Sequence, residues 1–558
     1  MTLEQDRGRP GRREVVVHGG LMTQAADAIE IGSARPRTRA RRAQATSPPL
    51  PLVAAALFAA ALVLSPILFT VIQATGVSAQ DAVELLFRSI VGRLLVNTIT
   101  LIVAASATTA IIGAATAWLV ERTDLPGRKV WAVLAVAPLA IPPFVSSFAW
   151  VSLSDALQDF AGALLVVTCA YYPLVYLPVA AALRGLDPAL EETARSLGQT
   201  SWGCFFRVVL PQLRPALYGG MLLVALKTLS EFGAFALLRF QTFTTELFAQ
   251  FRTGFDGPDL SLLAVVLLLL CIACLIGEMK VRGRGRYARV GAGTRRNSRL
   301  APLGWTRWPV LIAFVALTLA TVGTPVGMVC YWLTQHASAA TSRAAPSLPR
   351  LFDATLASVG YGLAGAAAAV LLAAPLGYLT TRYPSRWTVL LERIAYLAQG
   401  VPSIVVALAL ISITVDWLLP LYQSAMLLVI AYGILFLPYA LVSVRAAMAQ
   451  VPRGLEESAR SLGLGWFAIL CRVLAPLTGP GLGAGAAMVF VFVSTELTST
   501  LLLGPLGTRT LATEVWSNTC SLAFAAAAPF EAVMLLLSLL SAWLLASRSG
   551  AAAFERQQ

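Results

Sequence analysis

The sequence is short of charge, and shorter still of the residues that usually do chemistry. Only 13% of its 558 residues are Asp, Glu, Lys or Arg, against about 25% in a typical soluble domain. Two histidines, His18 and His336, are too few to build a multi-histidine metal site. The three lysines are Lys129, Lys227 and Lys280, and none follows a glycine as a phosphate-cradling P-loop requires. Nucleotide binding by that route is therefore excluded, and no cofactor-binding pattern is present. Seven cysteines (Cys169, Cys204, Cys271, Cys274, Cys330, Cys471 and Cys520) lie almost all in or beside apolar runs. They are expected to be small buried hydrophobes rather than redox or metal groups.

What the chain has instead is oil. It is 57% hydrophobic with a mean hydropathy of +0.74, and beyond residue 50 apolar runs long enough to cross a bilayer recur along it. We count twelve: roughly 50–73, 96–119, 130–153, 163–184, 215–238, 260–278, 308–333, 354–380, 388–414, 424–444, 480–503 and 529–547. Continuous apolar runs call for helices, because a β-barrel would show short alternating segments. The expected fold is an all-α polytopic membrane protein.

The net charge of +14 takes its meaning from where the charge lies. With the N-terminus cytoplasmic, most Lys and Arg fall on the cytoplasmic side, as the positive-inside rule requires. The basic clusters Arg7 to Arg42 and Lys280 to Arg307 then face anionic membrane lipid rather than nucleic acid. The first 49 residues lack an apolar core, so they read as a disordered basic cytoplasmic tail rather than a cleaved signal.

The chain also repeats itself. Arg122 and Arg382, Pro142 and Pro402, and Pro178 and Pro438 mark matching words 260 residues apart. Glu192 and Glu457, Gly198 and Gly463, Pro211 and Pro476, and Glu231 and Glu496 match at 265. A slip of five residues between Pro178 and Leu190 reconciles the two offsets. Six spans per half make the halves parallel, related by an axis along the membrane normal. The expected divisions are the tail 1–49, a first transmembrane half 50–278, a basic cytoplasmic linker 279–307, a second half 308–547 and a cytoplasmic tail 548–558.

One charged segment is written twice: EETARSLGQTSWGCFFRVVLP at 191–211 and EESARSLGLGWFAILCRVLAP at 456–476. An acidic pair (Glu191 and Glu192, or Glu456 and Glu457) opens a short helix carrying Ala194 or Ala459. Gly198 or Gly463 then permits a positive φ, and a second short helix is expected to end at Pro211 or Pro476. The result is an elbow on the membrane face. Inside the spans, Lys227 and Glu231 stand four residues apart, where a helix would pair them, and Glu496 holds the place matching Glu231. Two readings stand for the carboxylates: they face a translocation path, where hard oxygen suits a hard cation, or they glue helices together near a membrane end.

The Glu-Thr-Ala and Glu-Ser-Ala runs, with Gly six residues after each Glu and VVLP or VLAP closing the segment, resemble the EAA loop of bacterial ABC importer permeases. Ala475 departs from the pattern's Leu, and Thr193 and Ser458 from its first Ala. The resemblance implies a coupling helix in each half that docks on a separate ATPase subunit, hence two ATPase copies, an extracytoplasmic substrate-binding protein and a place in the bacterial inner membrane. STELTSTLLLGPLGTRTLATEVW at 494–516, with AAAAPF at 525–530, resembles the fused two-half permeases of ferric iron importers more than those for thiamine or phosphonate. On this reading the chain is no enzyme itself. An ion-gradient-driven secondary transporter is the alternative from another class, but such a carrier has no use for two docking elbows.

Overall fold

In the computed structural model, residues 48–254, 257–284, 300–335 and 347–554 are described. The N-terminal tail, the heart of the basic linker and both histidines lie outside them. Every regular element among the described residues is helical, and the nearest thing to a sheet is one isolated bridge between Thr123 and Ala301.

Ten helices are long and apolar enough to cross a membrane: α1 (Leu50–Ala74), α2 (Ser89–Arg122), α3 (Asp159–Gly185), α4 (Phe205–Ser230), α5 (Gly257–Val281), α6 (Gly304–Thr334), α7 (Leu348–Arg382), α8 (Ala425–Gln450), α9 (Trp466–Ser494) and α10 (Phe524–Ser541). The third and ninth expected spans are not straight helices. Arg128–Ala140 and Pro143–Leu153 meet at 91°, and Arg386–Gly400 and Ser403–Trp417 at 105°. The cause is Pro142-Pro143 in one half and Pro402 in the other. A proline supplies no N–H and disfavours helical geometry in the residue before it. The fifth and eleventh expected spans also stop early, at Ser230 and Ser494, and continue as shorter helices. At the other end of the chain, the last helix runs on from Phe524 to Phe554 without a break at residue 548.

The five-residue slip has a visible form. Gly185, where α3 ends, corresponds at the 260 offset to Arg445, yet α8 continues to Gln450. The second half thus carries its helix five residues past the matching point before its charged loop begins, about 7.5 Å at 1.5 Å per residue.

The halves interlock. α1 packs against α7 and both arms of the second half's bent pair, and α6 packs against Pro143–Leu153 of the first half. Phe69 meets Trp417 edge-on at 5.7 Å, and Trp131 meets Phe314 at 5.3 Å, so each opening helix is held by the other half. Within a half, small residues allow close helix approach, as is usual in membranes. A Cβ on Gly113 would lie 2.9 Å from the Tyr172 carbonyl oxygen, and one on Gly365 would lie 3.0 Å from the Tyr432 Cβ.

Candidate functional site: two loop elbows and a polar seam

The duplicated charged segments fold alike. The helices Pro188–Ser196 and Arg453–Ser461 end at Leu197 and Leu462, and Gly198 and Gly463 follow with φ of +81° and +82°. Gln199 and Leu464 each donate an N–H to the carbonyl five residues back, on Ala194 and Ala459 at 3.1 Å in both. This is a Schellman ending, which glycine serves because it has no Cβ to clash at positive φ. Ala194 and Ala459 are buried beneath the elbow. Leu197 and Leu462 are 77% and 82% exposed, and Phe206 and Phe467 are also exposed. Each elbow therefore presents exposed apolar side chains on the protein surface.

The acidic pairs divide their labour. Glu192 and Glu457 are exposed, while Glu191 and Glu456 turn inward to ion pairs with Arg122 (3.0 Å) and Arg382 (2.5 Å). Those arginines close α2 and α7, and each also donates to a backbone carbonyl near the end of α3 or α8: Arg122 to Leu183 at 3.1 Å, Arg382 to Val451 at 2.9 Å. The matching arginines in the sequence thus hold the matching acids. Sequence reading used Arg122 and Arg382 only as repeat markers; charge recurring in pairs in a chain this poor in charge was the signal that joined them.

The second short helix does not end at Pro211 or Pro476. Ser201–Cys204 runs through a π-helical turn, Phe205–Val209, directly into Leu210–Ser230, and the second half does the same through Leu470–Leu474. Leu210 and Ala475 donate N–H to Phe205 and Leu470, five residues back. The widened turn places each proline at the start of the following helix, where its missing N–H costs nothing.

Lys227, Glu231 and Glu496 meet at the seam between the halves. α4 ends at Ser230, and Glu231 is extended with ψ of 129°. Its side chain is thereby carried off the helical face, and it makes no ion pair with Lys227, against the expected i,i+4 pairing. Glu231 instead caps the next helix, accepting from the Ala234 N–H at 3.1 Å, and accepts the Tyr171 hydroxyl at 2.8 Å. Glu496 repeats the cap on the Ser499 N–H at 3.1 Å. Thr244 and Thr500 hydroxyls donate at 2.6 Å to the backbone carbonyls of Glu231 and Glu496. The two turns touch: a Cβ on Gly233 would lie 2.8 Å from Leu497 of the other half, and Phe232 packs on Trp516 at 5.3 Å.

The Lys227 ammonium lies 5.7 Å from the centre of the Tyr439 ring and 5.9 Å from that of Phe492, both in the second half, and in the electrostatic reach of Glu231 and Glu496. Phe492 is the residue that matches Lys227 at the 265 offset, so the lysine faces its own counterpart across the pseudo-twofold axis. Tyr171 and Tyr439, which complete this polar cluster, were not singled out in the sequence. Nothing in their apolar surroundings marks them.

No group of three or more His, Cys, Asp or Glu that could hold a metal ion occurs among the described residues. All seven cysteines are free. Cys169, Cys204 and Cys271 are buried as expected, but Cys330, Cys471 and Cys520 are exposed.

The model of the family described as binding-protein-dependent transport system inner membrane component matches twice, at residues 110–281 and 365–548. The chain is 35% identical over 481 residues to the Fe(3+)-transport system permease protein FbpB 2 of Haemophilus influenzae, covering 86% of this chain and 94% of that one. It is 23% identical to the putative ferric transport system permease protein FbpB 1 of the same organism, over 77% of this chain and 73% of the relative. The sulfate transport system permease protein CysT of Escherichia coli is 30% identical over 194 residues, 31% of this chain and 70% of that protein. The chain belongs to the binding-protein-dependent transport system inner membrane components, the multi-pass permeases of ABC importers, and carries that component twice.

Proposed function

We propose that this permease moves ferric ion across the bacterial inner membrane, taking it from an extracytoplasmic binding protein and driven by two separate ATPase subunits. One observation carries the coupling part of this reading: the two elbows share backbone geometry, buried arginine anchors and exposed leucines, although their halves differ elsewhere. Glu191, Glu192, Ala194, Gly198 and Pro211 form the first docking elbow, and Glu456, Glu457, Ala459, Gly463 and Pro476 the second. ATP is hydrolysed on the partners, and both termini, the linker 279–307 and both elbows face the cytoplasm. The cargo is read from the relatives named for Fe(3+) transport, which match over most of this chain. Glu231 and Glu496 line the path at the seam, beside Lys227.

The test is copurification and uptake. Gly198→Val with Gly463→Val places β-branched residues at positive φ, a conformation they adopt only as outliers. The double variant should lose its ATPase partner while still reaching the membrane. A chain that keeps transporting iron without any ATPase would refute the coupling.

A further inference from the structure

The seam holds two carboxylates and one ammonium, and the arrangement is lopsided. Glu231 and Glu496 match each other across the pseudo-twofold axis, but Lys227 has Phe492 as its counterpart. One half has therefore placed a single positive charge beside a symmetric acidic pair. That charge is not locked to either carboxylate: no ion pair within 4 Å joins Lys227 to Glu231 or Glu496, and each carboxylate already accepts from a backbone N–H. The ammonium rests beside Tyr439, whose side chain also hydrogen-bonds it, and near the Phe492 ring, at distances where rings attract cations.

We propose that Lys227 is a tethered counter-cation: it excludes monovalent cations from Glu231 and Glu496 and yields its place to a polyvalent substrate. The inference rests on the reading of these carboxylates as part of the path. Two carboxylates at a membrane seam attract any cation, so an unguarded path leaks. An ammonium on a four-carbon stem competes at a high effective concentration, because a short tether turns binding into an intramolecular event. A monovalent ion offers the carboxylates no more charge than the lysine does, so exchange gains nothing. A trivalent ion at the same distance offers roughly three times the Coulomb attraction. The lysine then stays beside Tyr439 and Phe492, where it already rests, and needs no new counter-ion.

The experiment uses the permease with its two ATPase subunits in proteoliposomes, reading sodium flux without ATP. Lys227→Met and Lys227→Gln should each raise that flux at least tenfold, and Lys227→Arg should hold it at the wild-type level. The swap Lys227→Phe with Phe492→Lys returns a charge to the axis and should restore exclusion even where a single variant assembles poorly. Sodium flux unchanged in assembled Lys227→Met and Lys227→Gln overturns the proposal, as does a swap that leaks like Lys227→Met. Ferric uptake in Glu231→Gln with Glu496→Gln separates the two readings. If uptake and assembly are both unchanged, the path assignment falls; if uptake drops while Lys227→Met stays tight to sodium, only the role of the lysine falls.

Discussion

The two elbows share a backbone and differ in how they are tied down. Among the described residues, the anchors of the second lie within its own half. Glu456 is 5% exposed, receives Arg382 on one oxygen and the Tyr378 hydroxyl on the other at 3.1 Å, and its helix is tied back to α7 by Arg453 donating to the Thr381 carbonyl at 3.0 Å. In the first half, Trp118 stands where Tyr378 does, at the 260 offset, and has no hydroxyl to give. The Glu191 side chain is more open, at 15% against 6% for that of Glu456. The first half takes support from outside instead. The Ala301 N–H donates to the Arg122 carbonyl at 2.8 Å, the Asp124 N–H to the Ala301 carbonyl at 3.2 Å, and the Leu303 N–H to Asp124 Oδ1 at 2.7 Å. The end of the linker thus clasps the residue that anchors the first elbow. Duplication fixed the elbow and its arginine, while the supports around them diverged.

The largest effect expected from this comparison is at Arg382. Arg382→Ala strands a buried carboxylate, and breaking a buried pair in this way costs about 3–5 kcal/mol. Arg122→Ala should cost less, because the Glu191 side chain can turn to water. Thermal unfolding of the purified permease measures both; equal losses, or a larger loss at Arg122, would break the comparison.

Next comes Tyr378→Phe. It removes one hydrogen bond to a charged group, worth about 1.5–3 kcal/mol, and leaves the ring in place. Trp118→Phe in the first half keeps an aromatic ring against the core that Trp118 packs on and weakens its edge-on contact with Phe205 at 4.9 Å; such aromatic pairs contribute about 0.5–1.5 kcal/mol. If Trp118→Phe unfolds the protein at a lower temperature than Tyr378→Phe, the hydroxyl is not what distinguishes the elbows.

Much of this was legible before the structure, for physical reasons that vary with the residue. The helices, their duplication and the glycine elbows were readable because apolar length, a fixed offset and positive φ each leave a mark in one dimension. The bends at Pro142 and Pro402 were written in the sequence, yet apolar length read across them as single spans. The release of Lys227 from Glu231 was not readable, since it depends on α4 stopping one residue before the carboxylate. Nor were the interlocked α1 and α6, because helices that face lipid and a neighbouring half are equally apolar. The hold of Ala301 on Arg122 joins positions 179 residues apart, and no local pattern announces it.

That contact gives the smallest and most selective prediction. Asp124→Ala removes the acceptor for the Leu303 N–H, an exposed hydrogen bond worth about 1 kcal/mol. Global unfolding should barely move. Hydrogen exchange should speed at Leu303, and at Pro188–Ser196 as well if the linker steadies the first elbow through Arg122, while Arg453–Ser461 stays at its wild-type rate. The second elbow serves as the internal control, because no linker residue among the described ones supports it. Equal acceleration at both elbows would show that the loops share one support, and acceleration at Leu303 alone would show that the clasp holds only the linker. The expected pattern, Leu303 and the first elbow together, makes the linker a third tether that the second half replaces with Tyr378 and Arg453.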